Sequence, residues 1–124
     1  MSEKLFAGLD VSTQSCKLVV IDTETRETVF VDVVNYDKDL AEYNTRNGVI
    51  QGLAEGVSES DPLMWIAAVE KVFTGLKNSH VPLQNIRCIS VSGQQHGLVS
   101  LDAQGNLTRS RSKLWNDFST LQEC

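Results

Sequence analysis

Nothing in this chain reaches the roughly 20 consecutive apolar residues that a bilayer-crossing helix needs, so no membrane partner is expected. The opening stretch, MSEKLFAGLD, places no long apolar segment after its lysine and does not read as a secretory leader. An excess of positive charge is missing too: 11 Lys and Arg stand against 16 Asp and Glu, a formal net charge of -5. A nucleic-acid partner would want a basic face. This balance argues against one, while leaving room for a local site that takes a small anion. The three cysteines, Cys16, Cys88 and Cys124, are odd in number and form no CxxC pair, which argues against a zinc site or a disulfide framework. They read as buried free thiols of a cytoplasmic protein. Internal repeats and low-complexity tracts are absent as well.

What is present is a globular composition: 41% hydrophobic and 22% charged residues over 124 positions exclude a disordered tail. That length fits one domain or one piece of a larger one. Three apolar runs at short spacing, Lys4 to Leu9, Lys17 to Asp22 and Thr28 to Val34, predict an antiparallel meander. Asn35 to Asp61 has three glycines and no sustained period, and is expected to be a long irregular connection. Asp61 and Pro62 form a helix start, an acid cap followed by proline at the first helical position. Leu63, Ile66, Val69, Phe73 and Leu76 then recur at spacings of three and four, an apolar stripe widened by Met64 and Trp65. His80 is expected at the surface near the helix end. Ile86 to Ser92 reads as a buried strand, and its place after the helix predicts a parallel pairing with the first strand. Leu98 to Leu101 and Leu107 flank a hairpin turn whose Gly105 suits a left-handed position. A second helix is expected to begin in Phe118 to Cys124. A three-strand meander, a helix and a strand resemble the ribonuclease-H-like core of actin, heat-shock chaperones and sugar kinases.

Three short segments could carry chemistry. Asp10-Val11-Ser12-Thr13-Gln14-Ser15 interrupts two apolar strands with an acid, hydroxyls and an amide, and Lys17 follows. A tight turn there can aim backbone N–H groups at one point and attract an anion, with the Ser and Thr hydroxyls and Lys17 as further donors. Asp10 would repel a bare phosphate and makes sense beside one only through a divalent cation, Mg²⁺, reached by way of water. The same residues could merely close an Asx- or Ser/Thr-type turn. Gly93-Gln94-Gln95-His96-Gly97 offers donors and acceptors suited to hydroxyl groups, between glycines that let a backbone approach a ligand. Leu114-Trp115-Asn116-Asp117 sets an aromatic face, half of it expected in the core, before an amide and a carboxylate that could equally cap a helix.

Together and in this order, these segments resemble the FGGY family of carbohydrate kinases. Gly8-x-Asp10-x-Ser12-Thr13-x-x-x-Lys17 is similar to the family's first phosphate motif, with Ser12 where many members have glycine. Ser90-x-Ser92-Gly93-Gln94-Gln95-His96-Gly97 is similar to the sugar-contacting segment of the family's xylulose kinases, and Leu114-Trp115-Asn116-Asp117 to the segment after it. The resemblance implies an α/β, actin-like ATPase core, of which residues 1–124 would be the N-terminal part of the first kinase domain. It implies ATP and Mg²⁺ as cofactors, with Asp10 at the metal and Ser12, Thr13, Gln14, Ser15 and Lys17 at the ATP phosphates. Gln95, His96, Asn116 and Asp117 would bind D-xylulose, the small-molecule partner, and a homodimeric parent is compatible with it. Family members are several times longer and carry a catalytic aspartate far downstream, so residues 1–124 alone are expected to be inactive and prone to association. The alternatives are a kinase of another sugar or polyol (ribulose, gluconate or glycerol), or a chaperone- or actin-like ATPase module that binds no sugar.

Overall fold

The computed structural model describes residues 2–124. The strands β1 (Leu5–Val11), β2 (Ser15–Asp22) and β3 (Glu27–Asn35) form the expected antiparallel meander. Between β3 and the main helix lie a short helix α1 (Tyr36–Asp39) and three two-residue strands. These are β4 (Thr45–Arg46), β5 (Val49–Ile50) and β6 (Glu59–Ser60). The long helix α2 (Pro62–Lys77) follows, then β7 (Ile86–Gly93) and the short β8 (Ser112–Lys113). The main sheet runs β3-β2-β1-β7, and β7 joins β1 in parallel, as its place in the chain predicts.

Strand alternation sorts the sheet into two faces. Leu5, Ala7 and Leu9 of β1 and Cys16, Leu18 and Val20 of β2 are all buried on one face. α2 covers that face with Met64, Ala68, Val72 and Leu76, a stripe at strict spacings of four. Each fully buried Leu, Val or Met contributes roughly 1.5–3 kcal/mol by leaving water, so this layer holds the domain. The helix starts as expected: Asp61 accepts a hydrogen bond from the Leu63 amide at 2.9 Å, and Pro62 takes the first turn. Its inward face is rotated from the expected stripe, because Leu63 and Ile66 are exposed whereas Met64 and Ala68 are buried.

Several expectations on the periphery need correction. β7 is an exposed edge rather than a buried strand, with Ile89 at 46% and Val91 at 67% exposure. The helix lies over β2 and β3, and β7, at the far edge beyond β1, is left uncovered among the described residues. For the same reason Cys88 is exposed, as is Cys124 near the chain end, and only Cys16 is a buried thiol. Burial and the nearby Asp10 and Asp32 charges push the Cys16 thiol up to about 11, so it is an inert packing group. Residues 35–61 are irregular only in part: short elements occupy 36–50 and 59–60, and Tyr36 and Leu40 join the core, while 51–57 are turns and mostly exposed. Phe118–Cys124 forms turns and one 3₁₀ turn, Leu121–Glu123, instead of a helix. His80 is exposed and Gly105 sits at φ +83, both as anticipated. No helix among the described residues is long and apolar enough to cross a membrane.

Candidate functional site

The C-terminal ends of the parallel neighbours β1 and β7 meet at an open cleft of about 350 Å³. Its lining is Asp10, Ser12 and Thr13 from the end of β1, Gly93 to His96 from the end of β7, and Trp115. Two of the three sequence segments therefore face each other across one cleft, because the parallel register sets Asp10 beside Ser92 and Val11 beside Gly93. The ends of parallel strands are where open α/β sheets bind ligands.

The wall from β1 is a tight link. β1 continues through Asp10 and Val11, and β2 begins at Ser15, so only Ser12 to Gln14 lie outside the strands. The Ser12 amide donates to the Ser15 carbonyl at 2.9 Å and closes the link. The Ser12 hydroxyl donates to the Asp10 carboxylate at 2.7 Å. The Gln14 side chain is exposed, and neither it nor Ser15 lines the cleft. Lys17 pairs across from Asp10 and so shares its outer face of the sheet, where both border a shallow depression with Gly8, Val19, Ser90 and Ser92; Lys17 does not reach the cleft. Asp10 edges both hollows.

The opposite wall is more exposed. The Gln94 amide donates to the Val11 carbonyl at 3.0 Å, which carries the β1–β7 pairing into the cleft. The flanking glycines serve the protein's own backbone: a Cβ on Gly93 would lie 3.1 Å from the Val11 carbonyl oxygen, and one on Gly97 3.2 Å from that of Lys113. Their role is close packing of main chain, where ligand approach was anticipated. His96 holds a left-handed backbone at φ +60, costly for a residue with a Cβ.

Trp115 bridges the two walls. Its indole N–H donates to the Thr13 hydroxyl at 3.1 Å, and that hydroxyl donates to the Gln94 side-chain oxygen at 3.3 Å. Trp115 is 54% exposed, so it lines the cleft instead of lying half in the core. Leu114 is buried at 4%, while Trp115 lies in the turn that the Asp117 amide closes on the Leu114 carbonyl at 3.1 Å, a change of chain direction that the sequence pattern did not signal.

Asn116 and Asp117 are not in the cleft. Asn116 accepts from the Ser58 hydroxyl at 2.7 Å, and Asp117 accepts from the Ser58 amide at 2.8 Å and from Lys113 at 3.3 Å. Burial pushes the Asp117 carboxyl up, but hydrogen bonds from Ser119, Ser58 and Lys113 outweigh it and hold the group well below the usual range. Next to this clasp lies Glu59, its side chain only 3% exposed, with Arg109 at 2.6 Å, Arg111 at 3.3 Å and Lys113 at 3.6 Å. Burial raises the Glu59 carboxyl and the three cations more than reverse it, leaving it lowered and ionised. The clasp pairs β6 with β8 and so fixes where Trp115 stands.

Comparison with known proteins agrees with this architecture. The profile of the FGGY family of carbohydrate kinases, N-terminal domain, matches residues 5–124. A xylulose kinase of Schizosaccharomyces pombe is 37% identical over 97% of this chain and 24% of its own length. Two solved structures from Lactobacillus acidophilus are each 26% identical over 97% of this chain and 21% of theirs. One is a ligand-bound xylulose kinase at TM-score 0.75, the other a gluconate kinase at 0.73. The chain thus spans about a quarter of the length of the curated relatives it matches. A mixed sheet with its cleft at the β1 and β7 ends, matched by the profile from the first strand to the last residue, has one consequence. The chain belongs to the FGGY family of carbohydrate kinases, within the N-terminal domain.

Proposed function

We propose that these residues form the sugar-and-phosphate half of an ATP-dependent xylulose kinase, acting within a longer protein that supplies the remainder. The observation that carries this reading is the single cleft in which Asp10, Ser12 and Thr13 face Gln95 and His96. One wall offers turn amides to a phosphate, and also the Ser12 and Thr13 hydroxyls once they turn from Asp10 and Gln94; the other offers an amide and an imidazole to sugar hydroxyls. D-xylulose follows from the Gln95-His96 segment and from relatives that are xylulose kinases.

In the mechanism, Ser12 and Thr13 hold the γ-phosphate of ATP while Gln95 and His96 orient the acceptor hydroxyl toward it. Phosphoryl transfer asks the protein mainly for alignment and charge compensation, and two facing walls provide alignment. Lys17 and Asn116 enter the reading only at its margin, since neither side chain lines the cleft. Asp117 holds the loop that carries Trp115. Asp10 offers one carboxylate, and no cluster of three or more metal-ligating side chains exists among the described residues. That donor set fits Mg²⁺ held through water and phosphate oxygens, not a dedicated protein cage. When bound there, the ion would offset charge on the transferring phosphoryl group. Accepting the proton of the attacking hydroxyl falls to a carboxylate outside these residues.

A gluconate kinase matches the fold nearly as well as a xylulose kinase does, so a second sugar acid or polyol substrate is the competing reading. The test is ADP release by the whole protein with D-xylulose, D-ribulose, glycerol and gluconate side by side. D-Xylulose should give the highest kcat/KM. A better rate with another acceptor would replace the substrate, and no sugar-dependent ADP release would overturn the kinase reading.

A further inference from the structure

The phosphate turn is held from behind by residues far from it in sequence. The buried Tyr36 hydroxyl lies 2.8 Å from the Ser12 carbonyl oxygen and 3.0 Å from that of Ser15, and its backbone amide donates to the Gln14 carbonyl at 3.1 Å. Burial and the nearby Cys16 and Asp10 push the Tyr36 hydroxyl far above its ordinary value, so it remains a donor. The Thr13 carbonyl faces Gly48, where an added Cβ would overlap its oxygen. Gly48 itself has no slack. Its amide and that of Asn47 donate to Asp37 at 3.1 and 2.7 Å, and its carbonyl accepts from Ser60 at 2.9 Å. Its φ of +79 adds a second demand for glycine.

Because a trans peptide is planar, a carbonyl turned inward sends the next residue's N–H outward. Inward carbonyls at Ser12 and Thr13 therefore aim the amides of Thr13 and Gln14 away from the core. Those two amides have no protein acceptor among the described residues. We infer that Tyr36 and Gly48 are positioning residues that aim the turn amides at the triphosphate, an inference resting on the kinase reading above.

The experiment compares Gly48→Ala, Tyr36→Phe and Gly52→Ala in the whole protein, with folding checked by circular dichroism. Gly52 is a matched control, since it has a φ of +80 but nothing within 4 Å of an added Cβ. ATP affinity is read by calorimetry, and KM for ATP and for the sugar by ADP release. Gly48→Ala should lower kcat/KM for ATP on the order of 100-fold, as for a misplaced reacting group. Tyr36→Phe, losing one hydrogen bond, should lower it about 3- to 10-fold. In both, KM for the sugar stays at the wild-type value, and Gly52→Ala leaves the ATP constants unchanged. The inference is overturned if a folded Gly48→Ala keeps wild-type ATP constants, if both substrates weaken together, or if Gly52→Ala weakens ATP equally. Should Gly48→Ala not fold, Tyr36→Phe decides alone, and unchanged ATP constants in it overturn the inference. A wild-type protein that binds ATP but phosphorylates no sugar sinks the kinase reading, while ATP binding by the variants still decides the positioning role. Wild-type protein that binds no ATP sinks both.

Discussion

The two walls of the cleft are built differently. The Ser12–Ser15 wall rests on buried Tyr36 and Gly48, and its carbonyls are engaged from behind. The Gln94–His96 wall stands on an exposed edge strand, with one main-chain bond to Val11 and one strut through Thr13 to Trp115. On the proposed reading the first wall meets the phosphate, a group that is the same in every reaction of this kind, and a rigid, pre-aimed support suits it. Acceptor hydroxyls differ between substrates, and a wall with fewer supports can be altered without disturbing the phosphate end.

The division can be broken at its shared boundary. Asp10→Asn keeps the Ser12 hydrogen bond possible but removes the charge, and on the proposed reading of Asp10 at Mg²⁺ should lower kcat about 10- to 100-fold, the cost of losing a partner that orients a metal. Addition of Mg²⁺ in kinetic assays should restore part of the loss. A wild-type kcat in that variant would remove Asp10 from the phosphate end altogether.

A smaller effect should appear in acid. Asp37 braces Gly48, while Asp117 and Glu59 brace the Trp115 loop. Partial burial raises the Asp37 carboxyl, but hydrogen bonds from Thr45, Gly48 and Asn47 bring it below its ordinary value. All three carboxyls are thus lowered in the folded state. Groups lowered on folding stabilise above the ordinary carboxylate range and lose that contribution as pH falls through their folded values. Stability should hold from neutral pH to about 5 and decline below about 4, read as a fall in Tm with Trp fluorescence. A Tm that rises on acidification would contradict the bracing role of these acids.

Much of this was legible beforehand because local chemistry and tertiary context agreed. The meander, the Asp61-Pro62 helix start and the parallel return of β7 follow from periodicity and capping. Where context overrode pattern, reading failed. The inward face of α2 depends on where the helix lies over the sheet, which Leu63 and Ile66 could not reveal. Lys17 follows the turn closely in sequence and shares a sheet face with Asp10, its cross-strand partner, yet its side chain borders the depression on that face and does not reach the cleft at the strand ends. Gly48 had no local signal for its role, since its constraint comes from Thr13, 35 residues earlier in the chain.

The separation of the two walls is best tested in a single variant, His96→Ala, by measuring KM for ATP and for D-xylulose in the whole protein. The account predicts about a 10-fold loss of kcat/KM for D-xylulose, as for a lost hydrogen bond to substrate, with KM for ATP unchanged. Equal weakening of ATP and sugar, or no change in either, would contradict it.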